Sequence, residues 1–368
     1  MEKTNDGTVI FYGSIGAKKK DIIGGGESGN RKTVAILKEL QFNVIIVEKP
    51  YPLKTPVLRN IIYPFQLFLS IIHFCVLLIK TKGKKSSHII GFYNYLIYFE
   101  YLLVILSRCL RVNPVYEIRA GGMIEAYKSG TFIYRMFFKA TIKNSNKVLC
   151  QGKEYVSFLN TLTVNKFYYY PNYVLNEDLD NYNSNLRELE NDIRLVYFGR
   201  ITPSKNIEFI IEICHILRNK NIGFSLEIIG GGEIGYRNSL IKLIDNYNLA
   251  NYIKITPPTA HKQLVEILKQ KHFFIFPTVE KREGHSNSLT EAMSVGVVPI
   301  ASDIGFNSSV ISEKQLIVER FDPELYAKKV LQIWNDKSWP SFSIDVYNNV
   351  CRNFTENIVS KTIFEVHS

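Results

Sequence analysis

Short apolar runs of strand length alternate with helix-length segments along almost the whole chain, and this alternation limits the fold more than any other feature. Val9–Gly13, Asn43–Val47, 88–92, 114–118 and 147–151 read as strands, with helical spacing over 31–40, 61–80, 95–110, 131–143 and 153–160. The pattern resumes at Leu195 and continues to about Ile344. Strands that alternate with helices build parallel sheets, so the chain reads as an α/β protein. A polar stretch rich in Asn, Asp and Glu interrupts the pattern. It divides the 368 residues into a first domain, 1–175, a linker, 176–194, and a second domain, 195–346. The tail, 347–368, has helical spacing in Val350, Phe354, Ile358 and Ile363. No repeat of solenoid length is visible.

The net charge of +11 calls for an anionic partner of some kind, such as a nucleoside diphosphate or an acidic lipid headgroup. No nucleic-acid-binding signature accompanies the charge, so DNA and RNA are not expected partners. The densest basic runs, Lys18-Lys19-Lys20 and Lys80 to Lys85, are short enough to be solvated loops. Cys75, Cys109, Cys150, Cys214 and Cys351 are odd in number, scattered and without a C-x-x-C pair, which reads as free thiols in a reducing cytoplasm. The first residues are polar and lack the apolar region of a secretory signal.

Ile61 to Ile79 holds no formally charged residue and is about as long as a membrane span. Lying between two strand-like runs, it also suits the helix of a βαβ unit. A helix half buried and half pressed onto a membrane surface reconciles both, with Lys80, Lys82, Lys84 and Lys85 trailing it. Periodicity does not decide among these readings.

The chemistry-bearing segments cluster in the second half. The apolar run His272–Thr278 leads into a polar loop, Glu283-Gly-His-Ser-Asn-Ser-Leu-Thr-Glu291, and Val297–Ala301 follows as a strand. In an open parallel sheet, loops at the carboxyl ends of strands bind ligands. The helix expected to begin near Ser288 aims free N–H groups and a positive dipole end at that loop, which favours an anion. Ser286, Asn287 and Ser288 double as an N-cap cluster. Arg200 and Lys205 follow another strand, five residues apart, and present two fixed positive charges at a strand end. Arginine offers a two-pronged fork and lysine a point charge.

The carboxylate pair Glu283 and Glu291 resembles the E-x7-E motif of GT-B glycosyltransferases of family 4. Leu195–Asn206, Leu226–Glu233 and Tyr252–Pro258 resemble the same family's successive strand-loop blocks, in order and spacing, over roughly 195–305. The resemblance implies two Rossmann-like domains facing a cleft, with a C-terminal helix crossing back onto the first domain. It implies that Arg200 and Lys205 hold the donor diphosphate. Glu283 would contact the donor sugar, Ser286, Asn287 and Ser288 the donor, and Glu291 the ribose. It also implies a retaining transferase that uses a nucleotide sugar and a lipid-linked glycan acceptor in the assembly of a bacterial surface polysaccharide. Peripheral attachment at the cytoplasmic face of the inner membrane goes with that reading. Other GT-B chemistry, such as nucleotide-sugar epimerisation, and a silent subunit of an assembly complex are the alternatives.

Two features of the first half stand apart. Gly24-Gly25-Gly26-Glu27-Ser28-Gly29 satisfies G-x-G-x-x-G, with Glu48 about twenty residues on. Ten residues separate it from the preceding strand, too many for the tight dinucleotide turn. A cleft loop of Gly24, Gly25 and Gly26, a dinucleotide site and a structural turn all stay open. Second, many family members carry a histidine after a strand of the first domain, where this chain has Arg119, preceded by Glu117. Arg119 could bind phosphate or an acidic sugar instead. No cluster of His, Cys or carboxylates has metal-ligand spacing, so neither metal nor other cofactor is expected.

Overall fold

The computed structural model describes residues 7–16, 25–52, 55–91, 94–119, 121–179, 182 and 192–368. Gly24 and Lys18-Lys19-Lys20 lie outside the described residues. The chain divides into two compact units, one of 1–171 with 357–368 and one of 172–356.

The first unit runs β1 (Thr8–Gly13), α1 (Gly25–Glu39), β2 (Asn43–Glu48), α2 (Pro56–Lys80), β3 (Lys85–Gly91) and α3 (Ile97–Cys109). It continues with β4 (Asn113–Ile118), α4 (Met123–Ser129), α5 (Phe132–Asn144), β5 (Lys147–Cys150), α6 (Lys153–Leu162) and β6 (Phe167–Tyr169). The strands form one parallel sheet in the order β2-β1-β3-β4-β5-β6, with Val9 opposite Val44 and Ser86 in register. Every residue of β1 is buried, because helices cover both faces of the sheet.

The second unit contains α7 (Asn176–Leu179), β7 (Ile193–Phe198), α8 (Ile207–Asn219), β8 (Phe224–Ile229), α9 (Ile234–Asn246) and β9 (Ile253–Thr256). Then come α10 (His261–Leu268), β10 (Phe273–Phe276), α11 (Asn287–Ser294), β11 (Val298–Ser302), α12 (Asn307–Ile311), β12 (Ile317–Val318), α13 (Pro323–Asn335) and α14 (Trp339–Asn353). Its parallel sheet has the order β12-β11-β10-β7-β8-β9. The chain winds outward in both directions from the β7/β10 pair, so a topological switch point lies between those two strands. Crevices at the carboxyl ends of such strands are where doubly wound sheets bind ligands.

The boundaries differ from the sequence reading in three places. The polar segment expected as a linker is partly packed: Asp178 accepts a hydrogen bond from His261 Nε2 at 2.9 Å, and Tyr182 stacks on Tyr347 with ring centroids 4.2 Å apart. The second unit therefore begins at Asn172. The tail expected from 347 is divided: α14 stays with the second unit, and only the residues from 357 in α15 (Glu356–His367) group with the first. The break falls where Phe354 is buried against His285 and Val174 bridges Thr355. Finally, α1 begins at Gly25 and absorbs most of the glycine run. It is not a loop.

Candidate active site

Arg200, Lys205, Glu283, Ser286, Asn287, Ser288 and Glu291 all belong to the second unit, on segments that leave the carboxyl ends of β7 and β10. β7 ends in a turn at Gly199, whose φ of 137° suits glycine best. Tyr197 fixes that turn by donating its hydroxyl to the Arg200 carbonyl at 2.8 Å. Burial, with the nearby Glu283 carboxylate, pushes the Tyr197 phenol well above its usual value and keeps it a donor. Arg200 is exposed, and its side chain makes no hydrogen bond or ion pair among the described residues.

The glycines after β8 have a packing reason that the sequence did not reveal. A Cβ on Gly230 would stand 1.8 Å from the Gly199 carbonyl oxygen, and one on Gly232 would stand 2.1 Å from that of Ile201. The two turns thus meet backbone to backbone, and only glycine allows it.

A single 3-10 turn, Pro203–Lys205, then carries Lys205 inward. The lysine is 6% exposed, and its Nζ donates to Glu283 Oε2 while lying 5.3 Å from the centre of the Phe276 ring. Thr278 Oγ1 lies 3.1 Å from the same carboxylate oxygen, and the Val279 amide donates to the Ser204 carbonyl at 3.0 Å. The loops after β7 and β10 are therefore stitched together across the switch point. Gly305, after β11, closes the set: at φ 61° it lies so near the Glu283 backbone that a Cβ would meet its carbonyl oxygen at 2.1 Å. Thr278 and Gly305 were not singled out from sequence. One is a lone threonine and the other an isolated glycine, and nothing in their spacing marks them.

Helix α11 starts at Asn287, one residue earlier than expected, with Ser286 in the N-cap position. The serine does not cap. Its hydroxyl lies 2.9 Å from Ser288 Oγ and makes no bond to the helix backbone. The first-turn N–H groups thus have no side-chain cap, as an anion-binding helix end requires. Glu291 is half-buried in the second turn, with no side-chain hydrogen bond or ion pair among the described residues.

His285, two residues after Glu283 in this loop, is a core residue. It is 3% exposed, hydrogen-bonds Thr290 Oγ1 at 2.5 Å and stands edge-on to Phe354. Burial lowers its pKa from 6.5 to about 3. A histidine depressed in the fold is protonated first in the unfolded chain, so its contribution falls as pH drops below 6.5 and continues falling to about 3. By about pH 5 the loss should reach roughly 2 kcal/mol. His285→Gln keeps a partner for Thr290 but does not titrate. Urea unfolding at neutral and mildly acidic pH should show a smaller acid loss in that variant, and an unchanged loss would refute the assignment.

The first unit holds a separate polar cluster around the end of β4. Arg119 is not a free tip. Its side chain is 6% exposed, its Nε donates to Glu117 Oε1, and its Nη2 donates to Thr33 Oγ1 at 2.9 Å. The guanidinium lies flush on α1: a Cβ on Gly29 would stand 1.7 Å from Nη1. That contact gives the glycine run a structural reason at Gly29, whereas Gly26 has open space around it. Arg119 also lies 5.6 Å from the centre of the Tyr170 ring.

Behind Glu117 runs a buried chain of side chains. Glu117 Oε2 is 2.8 Å from His88 Nε2, His88 Nδ1 is 2.9 Å from His367 Nε2, and His367 Nδ1 is 2.7 Å from Ser86 Oγ. Burial would raise the Glu117 pKa, but Arg119 and His88 together hold it below the usual carboxylate value. Burial and the neighbouring His88 and Lys147 hold His367 neutral. An ionised carboxylate only accepts, so His88 carries its proton on Nε2. With one proton on each ring, His367 then donates from Nε2 and Ser86 donates to His367 Nδ1. Sequence reasoning named Glu117 and Arg119 but missed His88, His367, Thr33 and Tyr170, which come from four distant segments. Among the described residues, no three His, Cys, Asp or Glu side chains gather as a metal site would require.

Residues 180–357 match the family model described as glycosyl transferases group 1. The second unit is a group 1 glycosyltransferase domain. Among similar proteins, the capsular polysaccharide biosynthesis glycosyltransferase CapH of Staphylococcus aureus is 24% identical over 194 residues, 50% of this chain and 52% of that protein. A GDP-mannose:cellobiosyl-diphosphopolyprenol alpha-mannosyltransferase of Xanthomonas oryzae is 27% identical over 178 residues, 47% of this chain and 46% of that protein. The chain thus spans about half the length of these curated relatives. The solved structure of sucrose-phosphate synthase from Thermosynechococcus elongatus superposes with a TM-score of 0.74 at 16% identity, covering 98% of both chains. The chain has the GT-B fold.

Proposed function

We propose that this protein is a retaining glycosyltransferase that moves a sugar from a nucleoside diphosphate to a hydroxyl of a lipid-linked glycan in surface-polysaccharide assembly. The observation that carries the reading is the Lys205–Glu283 pair at the β7/β10 switch point, beside the uncapped start of α11 and the exposed Arg200. Arg200, Lys205 and the N–H groups of α11 stabilise the negative charge that grows on the departing diphosphate. Glu283 fixes the sugar, and Glu291 accepts from the ribose. The acceptor oxygen bonds to the anomeric carbon on the face the diphosphate leaves, and the acceptor proton passes to the departing phosphate oxygen. No protein base is then needed. The names of the relatives support the polysaccharide context: capsule assembly for one, a diphosphopolyprenol-linked acceptor and a GDP-sugar for the other.

A panel of nucleotide sugars and nucleoside diphosphates tests the donor. A ligand that binds only the native state raises stability with the logarithm of its concentration over Kd. One nucleotide class should raise the Tm, and Arg200→Ala should weaken that rise without lowering the ligand-free Tm. No stabilisation by any nucleotide would remove the reading. Proton NMR of the product decides the stereochemistry: an inverted anomeric centre excludes the retaining route. Epimerised free sugar without an acceptor would indicate an epimerase.

A further inference from the structure

Helix α2 is apolar on two sides. Tyr63, Leu67, Ile71, Phe74 and Leu78 are buried, Phe74 edge-on to Tyr12, while Tyr12 hydrogen-bonds Ser70 at 2.9 Å. On the other side, every exposed residue from Ile61 to Ile79 except Pro64 and His73 is a large hydrophobe. These are Ile61, Phe65, Phe68, Leu69, Ile72, Val76 and Ile79, with Ile61 and Ile79 exposed by 69% and 66%. Their spacing follows one helical stripe. Exposed apolar surface on this scale marks a contact with another surface.

The neighbouring helices extend the same face. Successive right-handed crossovers from β2 to β5 put α2, α3 and α5 in one layer, and α3 packs against both of the others. Leu102 of α3 and Phe132, Ile133 and Met136 of α5 are exposed there. The exposed charged residues of these three helices share one sign. Arg59 and Lys80 stand near the ends of α2, Arg108 ends α3, and Arg135, Lys139 and Lys143 form an i, i+4, i+8 stripe on α5, all exposed. The three helices contain a single acid, Glu100, which is buried and held by Lys49 and Tyr116.

We propose that the outer face of α2, α3 and α5 docks the first unit onto an anionic lipid surface, with α2 lying in the interfacial plane. Charge complementarity selects this occupant. A second copy would set like-charged faces together, whereas an anionic bilayer neutralises the basic residues and buries the apolar stripe. A transmembrane placement, although Arg59–Lys80 is long and apolar enough for one, would strip Phe74 and Leu78 from the core. The inference specifies the membrane partner expected for a lipid-linked acceptor, but vesicle binding is read without donor or acceptor, so either reading can fail alone.

The test is co-sedimentation of the full chain with phosphatidylglycerol-containing vesicles and with pure phosphatidylcholine vesicles, at low and high salt. Binding should require the anionic lipid and weaken in high salt. Arg135→Ala/Lys139→Ala/Lys143→Ala should weaken it at least about tenfold, since each basic residue near such a surface adds roughly a factor of five. Phe65→Ser/Phe68→Ser should weaken it independently of salt, with an unchanged Tm because both side chains are exposed. Any of three results overturns the proposal: the wild-type chain staying in the supernatant, binding indifferent to both variants, or extraction only by detergent. A dimer in solution that the Phe65/Phe68 variant dissociates would give the face to a second copy instead.

Discussion

Lys205→Ala should lower turnover by about two to three orders of magnitude, as for other lost contacts to charge that develops in a transition state. The structure adds a complication that the sequence did not disclose. In the sequence, Lys205 is only a residue that follows a strand. It is buried and paired with Glu283, so its removal strands a carboxylate that is only 11% exposed, at a cost of about 2–3 kcal/mol. Low activity in the single variant could then reflect a damaged loop. The double variant Lys205→Ala/Glu283→Gln separates the two effects. Both charges are gone, so most of the stability should return, while turnover stays as low as in the single variant or falls further. Arg200→Ala, at an exposed position, is the companion case and should lose turnover with an unchanged Tm. If Lys205→Ala keeps near-normal turnover, or if the double variant regains activity along with stability, the lysine does not meet the diphosphate.

The sequence disclosed most of the fold because parallel strands and their helices leave local periodic signals. Each strand-like run became a strand, and Arg200, Lys205 and Glu283 could be placed at strand ends from spacing alone. What escaped was non-local. Nothing in Gly230 or Gly232 announces that the Gly199–Ile201 turn will press against it, and nothing near Arg119 announces that Gly29, ninety residues earlier, will seat its guanidinium. The glycine run illustrates the limit well. Its spacing suggested a cleft loop, a nucleotide turn or a structural turn, but the structure puts Gly25–Gly29 in the first turns of α1, with Gly25 and Gly26 where N–H groups are unpaired and Gly29 against Arg119. The α2 stripe illustrates the converse. Composition could not distinguish core, span and surface helix, since all three are apolar. Exposure residue by residue adds that one side of α2 is buried in the first unit and the other is not.

Glu117→Gln should destabilise the first unit strongly. The carboxylate is fully buried between Arg119 and His88, and removing one member of such a pair costs about 3–5 kcal/mol because the remaining charge stays desolvated. The hydrogen bonds themselves can survive. Glutamine can accept from Arg119 with its oxygen and donate to His88 with its nitrogen, provided that His88 moves its proton to Nδ1. His367 must then accept at Nε2 and donate from Nδ1 to Ser86, whose hydroxyl serves as either donor or acceptor. The whole chain reverses direction from one substitution. Nitrogen chemical shifts of the two imidazoles should therefore exchange character between wild type and variant, while circular dichroism reports a retained fold with a lower urea midpoint. Glu117→Gln/Arg119→Met removes the stranded cation and should recover a large part of the lost stability, giving a favourable coupling in the double-mutant cycle. Additive losses would mean that the two charges do not compensate each other, and unchanged imidazole shifts would mean that the carboxylate does not set the direction of the buried chain.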